Sequence, residues 1–329
     1  MFTVVPVLQT KTAEPVARRQ IQRAQLGLNP LARRLLIWQA VCLGVSGVAY
    51  PILGLSLDWR TAPPFLVADV TILLVWLHLY RHPGKAREWI VAETLFAFLL
   101  MLVLSHILAP AQYAATALNR PLIDPMLAAA DAQLGIHVPA MAEWLRGQPV
   151  LNWTLTTAYY TLLWQFALIV PLLGFGVRDR HALWEYLFHF HVCAIVTVVA
   201  LAVIPAQCAF QFYGFESTLD QTRFIQHFNG FRDGSLARIH FDDLEGLISM
   251  PSFHVAGALM VTWALRRRPL LLIPVGLVNV LLIAATFLSG AHYLVDVIVT
   301  VLMFAGSVVL YRKAGAPLLS RGLEPVSGR

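Results

Sequence analysis

Eight long stretches of mainly apolar residues constrain this chain more than any other feature of its sequence. They are separated by polar or Pro/Gly-rich breaks and run over Leu35–Leu57, Pro64–Tyr80, Trp89–Ala109, Leu151–Phe175, Leu183–Ala206, Pro251–Leu265, Pro269–Leu288 and His292–Tyr311. A helix needs about 20 such residues to cross a bilayer, and only the second and sixth stretches are clearly shorter. Hydrophobic residues make up 58% of the chain and charged residues 13%, whereas a soluble domain has about 45–50% and 25%. We therefore predict an all-α fold, a polytopic membrane helix bundle of about eight transmembrane helices.

Basic residues are distributed unevenly between the breaks, and this predicts the orientation of the bundle. With both termini in the cytoplasm, 18 of the 24 lysine and arginine residues lie on the cytoplasmic side. Membrane proteins carry such an excess in their cytoplasmic loops, so the net charge of +6 orients the chain and does not indicate a nucleic-acid partner. Residues 1–34 are predicted to form a cytoplasmic arm without a cleavable signal pattern, and residues 313–329 a cytoplasmic tail.

Two long segments then lie on the non-cytoplasmic side, which is periplasmic or luminal. Residues 106–150 include Leu122–Leu134, whose apolar positions recur at helical spacing and predict an amphipathic helix at the membrane interface. Residues 207–250 are rich in aromatic and charged side chains, which favours a lid over a membrane span. Long connections in a compact protein tend to be functional, so we expect both segments to contribute to a site.

The first chemical motif stands where the second of these segments ends. Residues 250–254 read Met-Pro-Ser-Phe-His, and we predict that a helix begins there because proline is tolerated in a first helical turn. The free N–H groups of such a turn, together with the hydroxyl of Ser252, form a site suited to an anion such as phosphate. His254 follows two residues after the serine, near the outer face of the membrane.

The second motif opens the last apolar stretch with His292 and Asp296. These residues are four apart and share one helix face, so the carboxylate can hold one imidazole nitrogen and leave the other as a nucleophile or base. One stretch leading inward and one leading outward separate His254 from His292, which returns both histidines to the same side of the bilayer. The three residues suit phosphoryl transfer without a metal: one histidine attacks phosphorus and the other protonates the departing oxygen.

Three other interpretations stay open on the residues alone. A histidine near a membrane interface is commonly structural. Two histidines and a carboxylate also match a familiar metal-binding set, although that set gives no role to Ser252 or to the helix start. Ionisable residues inside the predicted spans could instead line the path of a transporter; they are Asp69, His78, Glu93, His189 and His191.

The two motifs resemble those of the type 2 phosphatidic acid phosphatase superfamily, membrane relatives of the vanadium haloperoxidases. Its P-S-G-H motif is similar to Pro251–His254, and its S-R-x5-H-x3-D motif matches His292 with Asp296. The resemblance implies that His292 is a nucleophile carrying a phosphohistidine, Asp296 its orienting partner and His254 the acid for the leaving group. It also implies a six-helix catalytic core over residues 89–312, preceded by an added transmembrane pair over residues 35–88.

The chain departs from this family pattern at the cations that bind phosphate. Thr286 stands where the third motif has arginine, and Phe253 where the second has glycine. The first motif, K-x6-R-P, has a partial counterpart in Arg120-Pro121, with Tyr113 in place of the lysine. Ser252 is expected to contact the phosphate, and the predicted replacements for the missing cations come from the outer segments: Arg120, Arg223, Arg232 and Arg238.

The same departures bring the chain closer to the inositol phosphorylceramide synthase branch, whose third motif resembles His-Tyr-x-x-Asp without the arginine. We therefore expect a lipid phosphotransferase, inositolphosphotransferase-like, that works without metal or cofactor. Its substrates would be a lipid phosphate and an alcohol or water acceptor. The alternatives are a phosphatase of lipid phosphates or polyprenyl diphosphates and, outside the enzymes, a membrane transporter with buried His and Asp residues.

Overall fold

The computed structural model describes residues 29–82 and 86–321, which form a helical bundle with one very short sheet. The predictions for residues 1–28 of the arm and 322–329 of the tail lie outside these ranges. The helices are α1 Pro30–Ile52, α2 Pro63–Arg81, α3 Ala86–Ala117, α4 Asp124–Gln133, α5 Val138–Arg146, α6 Pro149–Pro171, α7 Arg180–Val203, α8 Ala209–Tyr213, α9 Thr222–Asp233, α10 Phe253–Ala264, α11 Pro269–Leu288, α12 Leu294–Leu310 and α13 Ala316–Arg321; the strands are β1 Ser56–Asp58 and β2 Arg238–His240.

Seven of the described helices are long and apolar enough to cross a membrane, namely α1, α2, α3, α6, α7, α11 and α12. Each of the eight predicted stretches corresponds to one helix, and the exception in length is the sixth, α10. With 12 residues α10 extends about 18 Å, less than the roughly 30 Å of a bilayer core. The predicted fold class, an all-α polytopic membrane bundle, is confirmed.

The short helix α10 lies at the centre of the bundle. It contacts α6, α7, α11 and α12, and its residues Ala256 and Met260 are completely buried in the main apolar core. Small residues let the neighbouring helices approach closely: a Cβ added to Gly257 would lie 2.7 Å from Cζ of Phe166 on α6. The position of Pro251–His254 at the start of α10 is therefore fixed by packing on several sides.

Helices α1 and α2 pack on α3 at one side of the bundle. The buried Gln39 of α1 donates to the carbonyl of Leu100 at 2.7 Å, and His106 Nδ1 of α3 lies 2.7 Å from Asp69 Oδ2 of α2. Beyond the end of α1, β1 pairs in parallel with β2, Ser56 opposite Arg238. The N-terminal pair is thus tied to the outer segment 207–250 as well as to α3.

The two predicted outer segments form short helices at the end of the bundle where α10 and α12 begin. Helix α4 coincides with the amphipathic helix predicted over Leu122–Leu134. Its buried side chains, Asp124, Leu127, Ala128 and Asp131, face protein, and α4 contacts α12. A helix expected at the membrane interface therefore packs against the start of α12, because its inward face carries two aspartates that accept hydrogen bonds there.

Candidate active site

Ser252 caps α10 and joins it to α12. Its Oγ accepts the N–H of Val255 at 3.4 Å, the arrangement that satisfies a free amide of a first helical turn. Its own N–H donates to Thr300 Oγ1 at 2.8 Å, and Thr300 in turn donates to the carbonyl of Asp296 at 2.6 Å. Ser252 and Thr300 have no exposed surface. The start of α10 is therefore held against the first turns of α12.

His292 lies in the turn between α11 and α12 and is 3% exposed. Its Nε2 is 3.1 Å from Ser252 Oγ, and its Nδ1 is 3.5 Å from Asp296 Oδ2. The second distance is that of an ion pair and is longer than a normal hydrogen bond. Asp296 Oδ2 also accepts the N–H of Tyr293 at 3.0 Å and the hydroxyl of Ser249 at 3.3 Å. The ring thus has the carboxylate on one side and the α10 start on the other.

His254 projects from the first turn of α10 and is held by Tyr159 of α6. The two rings stack with centroids 4.2 Å apart and an interplanar angle of 17°, and the tyrosine hydroxyl lies 3.3 Å from Nδ1. When the hydroxyl donates to Nδ1, the proton of the neutral imidazole is on Nε2. Nε2 is therefore the nitrogen of His254 that is left for a substrate.

Both histidines line one cavity of about 190 Å³. Its other polar lining comes from Ser105, Gln112, Tyr159, Thr197 and Gln221, and much of its wall is apolar, from Leu108, Phe190, Val198, Phe224, Ile248 and Phe253. Of the described residues that line it, none is lysine, arginine, aspartate or glutamate. The cavity therefore combines two imidazoles with a wall suited to an apolar chain.

The segment before α10 closes the cavity on one side, and the end of α3 holds it there. Gln112 donates from Nε2 to the carbonyl of Glu245 and accepts the N–H of Leu247 at Oε1, both at 2.8 Å. The hydroxyl of Tyr113 accepts the N–H of Glu245 at 2.8 Å. Tyr113 stands where the first motif was expected to carry lysine. In the structure it is a buried support for this segment.

The four arginines predicted to replace the missing cations lie outside the cavity. Arg120 and Arg238 are exposed, Arg223 pairs with Asp243 at 3.4 Å, and Arg232 donates to the carbonyl of Arg120 at 2.9 Å. The structure brings together His254, His292, Asp296 and Ser252, but it does not bring these cations to them. Thr286, at the arginine position of the third motif, is completely buried, and its carbonyl accepts the N–H of His292 at 3.0 Å.

The ionisable residues predicted inside α3 and α7 have side-chain partners within the protein. Among the described residues, Glu93 pairs with Arg180 at 2.5 Å, His191 with Gln39 at 2.9 Å and His189 with Ser307 at 3.0 Å. No group of three or more His, Cys, Asp or Glu side chains within residues 29–82 and 86–321 is arranged to hold a metal ion.

Sequence reasoning missed three residues that support the site: Tyr159, Asp124 and Asp131. Tyr159 gives no signal in the sequence, because its contact with His254 joins residues 95 positions apart. The two aspartates do give a signal in the sequence, because residues seven apart lie about two turns apart on the same helix face. Two acids on the inward face of a helix are costly unless something donates to them.

Comparison with known proteins yields one match. A family model described as the PAP2 superfamily matches residues 125–310, more than half of the chain. The matched region begins within α4 and ends with α12, so it contains Ser252, His254, His292 and Asp296. No curated protein and no solved structure shows significant similarity to the chain.

Proposed function

The chain belongs to the PAP2 superfamily, and on that premise we propose that it moves a phospho-headgroup from one lipid to another through a covalent intermediate on His292. Membership supports a lipid phosphatase or phosphotransferase acting in a membrane. The finer proposal depends on one observation: His254 and His292 line a single cavity, with Asp296 behind His292 and Ser252 in front, and no described residue of its wall is lysine or arginine.

In the first step, Nε2 of His292 attacks phosphorus and the bond from phosphorus to the lipid oxygen breaks. His254 enters this step as an imidazolium whose Nδ1–H donates to the hydroxyl of Tyr159. The departing oxygen takes the proton from Nε2, so the lipid leaves as a neutral alcohol and His254 becomes a neutral imidazole. Phosphorylated imidazole carries positive charge, and the carboxylate of Asp296 stabilises it from 3.5 Å. Ser252 Oγ, at 3.1 Å from Nε2, is close enough to donate to a phosphoryl oxygen.

In the second step, an acceptor hydroxyl attacks the same phosphorus. His254 removes its proton, the nitrogen to phosphorus bond breaks, and His292 returns to its starting state with the product ester released. His254 thus acts first as acid and then as base, which requires no further group. Tyr159 supports this double role because it holds only Nδ1 of the ring.

Backbone amides at the start of α10 supply part of the phosphate site. Within the described chain, the N–H groups of Phe253 and His254 have no hydrogen-bond partner, while that of Val255 is used by Ser252. Free amides at a helix start attract anions through direct bonds and through the helix dipole. They supply partial charges in place of the missing cations of the superfamily motifs.

The charge of the cavity favours transfer over simple phosphate release. A phosphomonoester carries about 1.5 to 2 negative charges at neutral pH, while a phosphodiester carries one. A wall whose described residues include no lysine or arginine is better matched to the diester, whose hydroxylated headgroup can contact the amides of Gln112 and Gln221. We therefore propose an inositolphosphotransferase-like reaction, with a phosphodiester lipid as donor and the hydroxyl of a second lipid as acceptor.

We further propose that the cavity opens on the non-cytoplasmic side, with both termini in the cytoplasm. The asymmetry of basic residues supports this orientation. Helix α10 runs from the cavity to Arg266–Arg268, and three consecutive arginines are expected in a cytoplasmic turn. Residues 89–312 then form the catalytic core, and residues 35–88 an added helix pair that braces α3 and the outer segment.

The proposal is tested with full-length protein in lipid nanodiscs. Phosphatidylinositol is supplied with ceramide or diacylglycerol, and separate samples contain phosphatidate or a polyprenyl diphosphate. Mass spectrometry of both lipid products, and of the histidine adduct that carries the phospho-headgroup, is expected to reveal headgroup transfer and a modified His292. Release of inorganic phosphate from the monoester or diphosphate samples, with no headgroup transfer, would contradict the transferase and favour a phosphatase.

His292→Ala and His254→Ala are compared with His181→Ala, which removes an exposed histidine at the start of α7. We expect loss of transfer by about 10⁴-fold for His292→Ala and by about 10² to 10⁴-fold for His254→Ala. His181→Ala should retain wild-type rates. Turnover retained in folded His292→Ala protein would refute the assignment of the nucleophile.

A further inference from the structure

Two buried aspartates of α4 hold the turn that carries His292, and we propose that Asp131 and Asp124 are positioning residues for this nucleophile. The inference rests on the proposed role of His292. Neither residue reaches the cavity, so neither is placed among the catalytic groups. Both act through the start of α12, which follows the turn that carries His292 and contains its partner Asp296.

Asp131 receives the first two amides of α12. The N–H of Leu294 donates to Oδ2 and the N–H of Val295 donates to Oδ1, each at 2.9 Å. The side chain has no exposed surface and comes from a helix more than 160 positions earlier in the sequence. Free amides at a helix start normally donate to water, to a local capping side chain or to a ligand. Here a carboxylate from another helix occupies both, so they are not available to a substrate phosphate.

Asp124 completes the attachment one residue earlier. Its Oδ1 accepts the hydroxyl of Tyr293 at 2.9 Å, and both oxygens accept the N–H of Gln207 at 3.2 and 3.0 Å. Burial raises the pKa of Asp124, and the bonds from Gln207 and Tyr293 act in the opposite direction. These bonds link α4, the segment after α7 and the residue next to His292 in one buried group.

The first part of the turn is bonded to α11 and to the outer segment: the N–H of His292 donates to the carbonyl of Thr286 at 3.0 Å, and the carbonyl of Gly290 accepts the N–H of Phe210 at 2.9 Å. The bonds from α4 hold its second part. Residues 289–293 are not helical, and Gly290 has a positive φ of 84°. The carboxylate of Asp296 accepts the N–H of Tyr293, so the geometry of His292 and Asp296 depends on the same turn. A displacement of about 1 Å at a reacting atom is enough to lower a rate by about 100-fold. Bonds from α4 to three successive residues, 293 to 295, fix the turn to a rigid element.

Asp131→Asn tests the inference, because the amide keeps one acceptor oxygen and nearly the same volume. In the nanodisc assay we expect kcat and the single-turnover rate of histidine phosphorylation to fall together by about 10 to 100-fold. KM for the donor lipid should stay within about threefold, because the cavity wall is unchanged. The matched control is Asp242→Asn, an exposed aspartate in the outer segment. A residue that only stabilises the fold would lower the unfolding temperature and leave kcat per folded molecule unchanged.

Tyr293→Phe is the second variant and decides the outcome where Asp131→Asn does not fold. It removes only the hydroxyl that Asp124 accepts and leaves every backbone bond in place. We expect kcat to fall by about 5 to 10-fold with KM unchanged. Wild-type kcat in every variant that folds would overturn the inference. Absence of headgroup transfer by the wild-type protein would instead count against the proposed function, so the two failures are distinguishable.

Discussion

Replacing Asp296 by asparagine removes a negative charge beside His292 with almost no change in volume. Oδ2 of the carboxylate lies 3.5 Å from Nδ1, and the side chain has no exposed surface. At an effective dielectric constant of about 20, a unit positive charge at this distance is stabilised by about 4.7 kcal/mol. With about half of the imidazole charge developed in the transition state, the loss is about 2.4 kcal/mol, or about 60-fold in kcat. A fully developed charge sets the upper limit at about 3,000-fold.

The assay measures kcat for headgroup transfer together with the single-turnover rate of histidine phosphorylation. Both should fall by the same factor, because Asp296 stabilises the charge formed in the first step. The asparagine oxygen still accepts the N–H of Tyr293, so the unfolding temperature should stay close to that of the wild type. Asp242→Asn provides the matched loss of one exposed charge. A kcat within threefold of wild type in folded Asp296→Asn protein would refute the reasoning.

Three further substitutions examine other parts of the site. Tyr159→Phe removes the hydroxyl at Nδ1 of His254 and should lower kcat for headgroup transfer by about 10-fold. An unchanged rate would mean that the hydrogen bond from Tyr159 is not needed to position the imidazole. Gly290→Ala should destabilise the protein by more than about 1 kcal/mol in thermal unfolding, because φ is positive and the new Cβ would lie 2.5 Å from Phe215. The control Gly276→Ala, with open space around its Cβ, should not destabilise the protein. Gln221→Lys adds a cation to the cavity and should raise kcat/KM for phosphatidate relative to phosphatidylinositol by about 10-fold, with Gln221→Met as the neutral control; an unchanged ratio would contradict the charge argument.

The sequence predicts the spans well and their ends poorly. Hydropathy identifies the residues that lie in the apolar layer of the membrane, whereas a helix can continue beyond that layer. Helix α3 was predicted to end at Ala109 and continues to Ala117. The extra turns carry Gln112 and Tyr113, which look like loop residues but bind the segment before α10. Helix α1 likewise begins at Pro30, capped by Asn29, although Arg33 and Arg34 interrupt the apolar pattern.

Local spacing also predicts which residues of the site converge, while long-range contacts escape it. His292 and Asp296 are four apart on the chain, and Ser252 and His254 occupy one helix start, so each pair is close by local spacing. The expected shared helix face is not found for the first pair, because α12 begins at Leu294 and His292 lies in the turn before it. That the two pairs meet follows only from the path through α11. The arginines illustrate the limit: their number in the outer segments can be counted, but Arg232 donates to the carbonyl of Arg120 instead of to the cavity.

The cations missing from the superfamily motifs can be related to the negative charge of the carboxylates near His292. Three buried carboxylates, Asp124, Asp131 and Asp296, surround the start of α12, and no lysine or arginine among the described residues lines the cavity. These carboxylates would repel a dianionic phosphate, and only backbone amides and the hydroxyl of Ser252 would offset that repulsion. A monoanionic diester would experience half of the repulsion. In the proposed first step, the carboxylate of Asp296 would also stabilise the positive charge on His292 from 3.5 Å. A site with strong cations would bind the phosphate more tightly in the ground state, so on the proposed function Thr286 in place of arginine would exchange ground-state binding for selectivity toward the less charged ester.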